Sequence, residues 1–71
     1  MKTVLITGAN RGIGLATCKL LKKRKYNIIG VARSKVKNFP GKFIECDLSN
    51  ESEIETLIKK VNKLNVTCIV N

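Results

Sequence analysis

The sequence predicts an α/β protein whose parallel strands form half of a doubly wound sheet, in the order strand, helix, strand, strand, helix, strand. Three observations carry that prediction. The stretches Val4-Leu5-Ile6-Thr7 and Ile28-Ile29-Gly30-Val31-Ala32 are apolar without alternation, the pattern of strands covered on both faces. Between and after them lie segments with apolar residues at spacings of three and four. The first strand runs into glycines at Gly8, Gly12 and Gly14, a turn directly before a helical pattern.

That turn is the informative stretch. A strand ending in glycines and feeding a helix brings backbone N–H groups toward an anion, and the helix start adds unpaired donors and the positive end of its dipole. The helix is expected from about Gly12 to Lys25, with Ile13, Ala16, Thr17, Leu20 and Leu21 facing the sheet and Leu15 and Cys18 off that stripe. Asn27 is read as the turn after it. The second strand, Ile28–Ala32, then lies parallel to the first through a helical crossover. Lys35 to Gly41 is polar and closes on Pro40-Gly41, too short for more than a turn or two of helix. Lys42–Cys46 is a short third strand. Ser49 or Asn50 caps the next helix, with Asn50 and Glu53 at capping-box spacing. Ile54, Leu57, Ile58, Val61 and Leu64 give that helix the cleanest apolar stripe in the chain, with glutamates in its first turns and lysines in its last. Val66–Val70 is the fourth strand.

The glycine spacing is Thr7-Gly8-x-x-x-Gly12-x-Gly14 rather than G-x-G-x-x-G. TGxxxGxG near an N-terminus resembles the cofactor loop of the short-chain dehydrogenase/reductase family. The resemblance implies a Rossmann-like sheet with strand order 3-2-1-4 and one partial NAD(P)-binding domain over residues 1–71. It implies that Gly8, Asn10, Arg11, Gly12, Ile13 and Gly14 hold the dinucleotide. An acidic residue after the second strand would bond the ribose 2′-hydroxyl, but Arg33-Ser34 stands there instead. With Arg11 beside the glycines, two guanidinium groups suit a 2′-phosphate, so the expected cofactor is NADP rather than NAD. Asp47-Leu48 resembles the family's pair at the adenine, where the carboxylate accepts from the amino group and the next N–H meets a ring nitrogen. Asp47 also reads as a turn residue or cap, and the two readings are compatible.

Val70-Asn71 resembles the first residues of the family's Asn-Asn-Ala-Gly motif, which places Asn71 near the nicotinamide end. The family's catalytic Ser and its Tyr-x-x-x-Lys pair have no counterpart here. Tyr26 has Gly30 four residues on. The chain is therefore expected to bind cofactor as a truncated oxidoreductase without transferring hydride itself, since reduction of a carbonyl also requires a positioned proton donor. Carbonyl or 3-oxoacyl thioester substrates are what the resemblance implies. An inert dinucleotide-binding or interaction module is the alternative.

Composition bounds these readings. A chain of 71 residues forms at most one small domain, and one of that size buries only about 60% of its unfolded surface. Cys18, Cys46 and Cys68 are odd in number, far apart and accompanied by no histidine, which argues against zinc or a disulfide framework and for a reducing compartment. The chain enters a strand directly, without a signal-peptide core or a membrane-length apolar run, so a cytoplasmic protein is expected. The net charge of +9 raises nucleic acid as a partner. The three aromatics, Tyr26, Phe39 and Phe43, do not alternate with the basic residues as a base-stacking platform would, and the lysines read as a solvated face. The fourth strand is expected to leave an open sheet edge, through which the chain self-associates.

Overall fold

The computed structural model describes residues 2–70. Strand β1 (Thr3–Thr7) is followed by helix α1 (Gly12–Lys23), strands β2 (Asn27–Ala32) and β3 (Lys42–Glu45), helix α2 (Glu51–Lys63) and strand β4 (Cys68–Val70). The four strands form one parallel sheet in the order β3-β2-β1-β4, as the sequence predicts. Each face carries its own core, because alternate residues of a strand point to opposite sides. Val4, Ile6, Ile28 and Cys18 pack on the α1 side, while Leu5, Ile29, Val31, Ile44 and Leu57 pack on the α2 side.

Helix α1 meets the sheet through small residues rather than through its largest ones. Ile13 and Leu20 are 87% and 54% exposed, whereas Cys18 is fully buried and Leu21 packs against the same cluster. The cause is a close approach one turn earlier. A side chain on Gly14 would overlap the backbone carbonyl of Gly8, so α1 lies directly on the turn. That contact orients the row Gly14, Cys18, Leu21, spaced by four and three, toward the sheet and swings Ile13 outward. Of the stripe expected to face the sheet, Leu21 packs on the core and Thr17 is half-buried, while Ile13, Ala16 and Leu20 are exposed and Cys18, expected off the stripe, is buried.

Helix α1 ends at Lys23, two residues short of expectation, and Asn27 opens β2 instead of forming the turn. Tyr26 N–H donates to the Leu21 carbonyl at 3.1 Å and Lys25 N–H to that of Lys22 at 3.0 Å, with Lys25 at φ +66°. This is a Schellman closure, built with lysine at the left-handed position that glycine usually takes. The crossover from β2 to β3 contains no helix. Phe39 covers that part of the sheet, its ring lying where a side chain on Gly30 would be and meeting Phe43 edge-on with centroids 5.0 Å apart. On the other face, α2 buries Leu57 and half-buries Ile54, Val61 and Leu64, while Ile58 is exposed. Strand β4 is limited to Cys68–Val70, and Thr67 N–H is held by the Thr3 carbonyl at 2.8 Å.

Two outcomes test this packing. Lys25→Gly removes the left-handed cost of a β-carbon, offset by glycine's greater unfolded freedom, and is expected to stabilise the chain by about 0.5–1 kcal/mol in urea unfolding. Gly14→Ala forces α1 off the turn against rigid backbone and is expected to destabilise by about 2–3 kcal/mol in the same measurement.

Candidate functional site

Parallel strands present their C-terminal ends at one edge, and the loops leaving β1, β2 and β3 meet there. Two hydrogen bonds fasten them together. Ala9 N–H donates to the Val31 carbonyl at 3.3 Å, and Cys46 N–H donates to the Ala32 carbonyl at 2.9 Å. The loops enclose a cleft of about 390 Å³ lined by Gly8, Asn10, Arg11, Val31, Ala32, Arg33, Cys46, Asp47, Leu48 and Ser49. Six of the residues singled out in the sequence therefore lie around one cavity: Gly8, Asn10, Arg11, Arg33, Asp47 and Leu48.

The glycine turn forms one wall. Gly8 and Gly12 have φ of +63° and +60°, and a β-carbon on either would meet nothing within 4 Å, so the turn is open on its outer side. Ala9 is buried and tied to β2, and the N–H groups of Gly12 to Gly14, at the start of α1, have no backbone acceptor among the described residues. Arg11 is the extended residue before α1, and its side chain does not cap the helix. No acidic residue occupies the first turn of α1. The wall is thus a row of unpaired donors at the positive end of a helix, with a guanidinium beside it. These features suit a pyrophosphate-bearing group. Gly12, Ile13 and Gly14 belong to this wall without lining the cleft, and the Ile13 side chain stands in solvent.

The opposite wall is built around Asp47. Its Oδ1 accepts from Ser49 N–H at 2.9 Å and from the Ser49 hydroxyl at 2.7 Å. These bonds, and more weakly the nearby Arg33 charge, hold the carboxyl below the usual aspartate range. Asp47 N–H donates to Glu53 Oε1 at 2.9 Å, and Asn50 N–H donates to the Asp47 carbonyl at 3.0 Å. Asn50 caps α2 by accepting from Glu53 N–H at 3.2 Å. The expected capping box is therefore half formed, because the Glu53 carboxylate turns to Asp47 instead of back to Asn50. Leu48 is 46% exposed beside the cleft. Arg33 and Ser34 are exposed at the end of β2, Arg33 on the cleft and Ser34 outside its lining. Asn71 lies outside the described residues.

Sequence reasoning did not single out Cys46, Ser49 or Glu53 as parts of this site. Ser49, two residues after Asp47, carries the spacing of an aspartate turn, a signal that was available. Cys46 forms apolar floor, and burial, then the Glu53 and Asp47 charges, push its thiol up, so it remains protonated. Among the described residues no group of histidine, cysteine and carboxylate side chains is placed to hold a metal ion. No described helix is long and apolar enough to cross a membrane.

Comparison with known proteins agrees with this geometry. A family model described as the NAD dependent epimerase/dehydratase family matches residues 4–71. The chain is 34% identical over 77 residues to dehydrogenase/reductase SDR family member 11 of Gallus gallus, covering 90% of this chain and 30% of that protein. It is 31% identical over 71 residues to carbonyl reductase family member 4 of Danio rerio, covering 87% and 30%. A solved structure of 4-hydroxyisoleucine dehydrogenase complexed with NADH superimposes with a TM-score of 0.85 at 30% identity, over 97% of this chain and 31% of that one. The chain thus spans about 30% of the length of the curated relatives it matches. From the glycine turn, the strand order and these matches together, the chain belongs to the short-chain dehydrogenase/reductase family, and the family model it matches is that of the NAD dependent epimerase/dehydratase family.

Proposed function

We propose that these residues form the NADP-binding part, a single partial dinucleotide-binding domain, of a reductase acting on carbonyl or hydroxyl substrates. The observation that carries this reading is the single cleft in which the glycine turn, two arginines and the Asp47-Leu48 edge converge. The turn from Gly8 to Gly14 receives the pyrophosphate on its open N–H groups. Arg11 and Arg33, with Ser34 alongside, take the ribose 2′-phosphate through charge-assisted bonds, in the place where an NAD-linked site would carry a carboxylate. Asp47 accepts from the adenine amino group and Leu48 N–H donates to the ring, while Asn71 belongs to the nicotinamide end. A bound nicotinamide dinucleotide supplies the hydride. The chain's own residues hold and orient its adenosine half, and none of them is a paired Tyr and Lys to move the substrate proton, so the 71 residues by themselves are read as inactive.

The same reading includes a cytoplasmic setting, supported by three cysteines free of disulfides. It also includes self-association along β4, supported by the 62% exposure of Ile69 on a strand paired only to β1.

Calorimetric titration of the chain with each cofactor tests the assignment. NADP is expected to bind about tenfold or more tightly than NAD, and Arg33→Asp to reverse the order, since one charge-assisted contact at an exposed position is worth about 1.5 kcal/mol. Equal affinities in the unmodified chain would overturn it. The pH dependence follows from Asp47. A carboxyl whose folded-state pKa is lowered contributes stability above its unfolded value, and loses it as pH falls through the folded one. Adenine-end affinity, measured with NAD because the 2′-phosphate of NADP itself titrates near pH 6, is therefore expected to stay flat from about pH 8 to pH 5 and to fall only below the ordinary aspartate value of about 3.9. Titrations at several pH values check this, and a midpoint near neutrality would contradict it.

A further inference from the structure

Glu53 is a residue of α2, outside the lining of the cleft, yet its carboxylate reaches the backbone of the residue assigned to the base. Glu53 Oε1 accepts from Asp47 N–H at 2.9 Å. The next peptide along is fixed from the same helix start, by Asn50 N–H donating to the Asp47 carbonyl at 3.0 Å. The Asp47 side chain is fixed in turn by the two donors of Ser49, which occupy Oδ1. Two of these restraints come from the beginning of α2 and hold both peptide groups that flank Asp47. What they leave unpaired among the described residues is Asp47 Oδ2 and the Leu48 N–H, one acceptor and one donor adjacent in the chain.

We infer that Glu53 is a positioning residue for base recognition: by holding Asp47 N–H it fixes the spacing of the Asp47 acceptor and the Leu48 donor, and so sets the preference for adenine over a 6-oxo purine. This rests on the cofactor reading above. A purine with a 6-amino group offers a donor to the Asp47 acceptor, whereas a 6-oxo purine offers an acceptor to it and leaves two oxygens facing each other. Discrimination of that kind depends on the carboxylate staying where it is. An Asp47 free to rotate with its peptide would withdraw from the oxo group and accept either base. Helix α2 supplies the rigidity, because Glu53 sits in its first turn on an N-terminus already capped by Asn50.

The test compares NADP with its hypoxanthine analogue, nicotinamide hypoxanthine dinucleotide phosphate, by calorimetric titration of the chain and its variants. The unmodified chain is expected to favour the adenine form by about tenfold. Glu53→Ala is expected to shrink that ratio below about threefold, chiefly by weakening NADP, while Glu53→Gln, whose amide oxygen still accepts from Asp47 N–H, retains it. Glu53→Asp keeps the charge at the helix start but is one methylene short of Asp47. It carries the same expectation as alanine, and decides the matter should the alanine variant fail to fold. A merely structural Glu53 would lower affinity for both dinucleotides alike and leave their ratio unchanged, and that result, or an unchanged ratio in Glu53→Asp, would overturn the inference. An unmodified chain that binds both forms without preference would overturn it as well. Failure to bind either dinucleotide would instead strike the cofactor reading itself.

Discussion

The contact on which the rest depends is the one between the backbone of Gly14 and the carbonyl of Gly8, which admits no β-carbon. It determines how closely α1 lies on the end of β1, and thereby which face of α1 meets the sheet. With Gly14 down, Cys18 and Leu21 follow into the core and Ile13 and Arg11 are turned outward. The same approach keeps the turn open on its outer side, where Gly8 and Gly12 leave room and the N–H groups that begin α1 have no backbone acceptor among the described residues. The seat of the helix and the openness of the turn are thus two consequences of one steric condition. A larger residue at Gly14 would change the helix seat and the anion-facing wall together.

The separation of the cleft's two walls is set by the sheet. Ala9 is bonded to the end of β2, and Cys46 to the same strand from the other side, so β2 sets the separation of the two walls. Each such bond is modest, about 1 kcal/mol net, but each continues a ladder that is already in register. On the α1 face, Phe39 covers the part of the sheet that has no crossover helix above it. One aromatic ring in contact with a glycine does there what a row of helical side chains would do elsewhere. It packs on the core cluster that includes Ile28.

Much of the fold and half of the site were legible because they rest on local signals. The alternation of strand and helix patterns gave all six elements, and glycine spacing with strand-end position gave the cleft residues from Gly8 to Leu48. What could not be read were contacts decided by three-dimensional fit. Of the face expected to meet the sheet, Leu21 does, but Ile13 and Leu20 turn outward and Cys18 inward, because close docking of Gly14 on a backbone turn sets the helix orientation. Nothing local shows that the Phe39 ring, in a polar connection, lies over Gly30. Glu53 was assigned to a reciprocal cap with Asn50, an interaction of neighbours along the chain. Its actual partner lies six residues away, at the end of a strand.

The placement of charge in the cleft follows from register. Strands β2 and β3 are paired with Ala32 opposite Glu45, so the residues that follow them, Arg33 and Cys46-Asp47, leave the sheet side by side. A cation and an anion are thereby brought to neighbouring strand ends without either being buried, and the Arg33 charge helps to keep the Asp47 carboxyl ionised. In solvent the attraction between them is weak and screened by salt, so it contributes little to folding. Its significance is chemical. An adenosine 2′-phosphate presents an anion on the ribose and, at the far side of its purine, an amino donor. On the NADP reading proposed above, a guanidinium and a carboxylate on adjacent strand ends would face that phosphate and that amino group, and a carboxylate in place of Arg33 would present two anions to it.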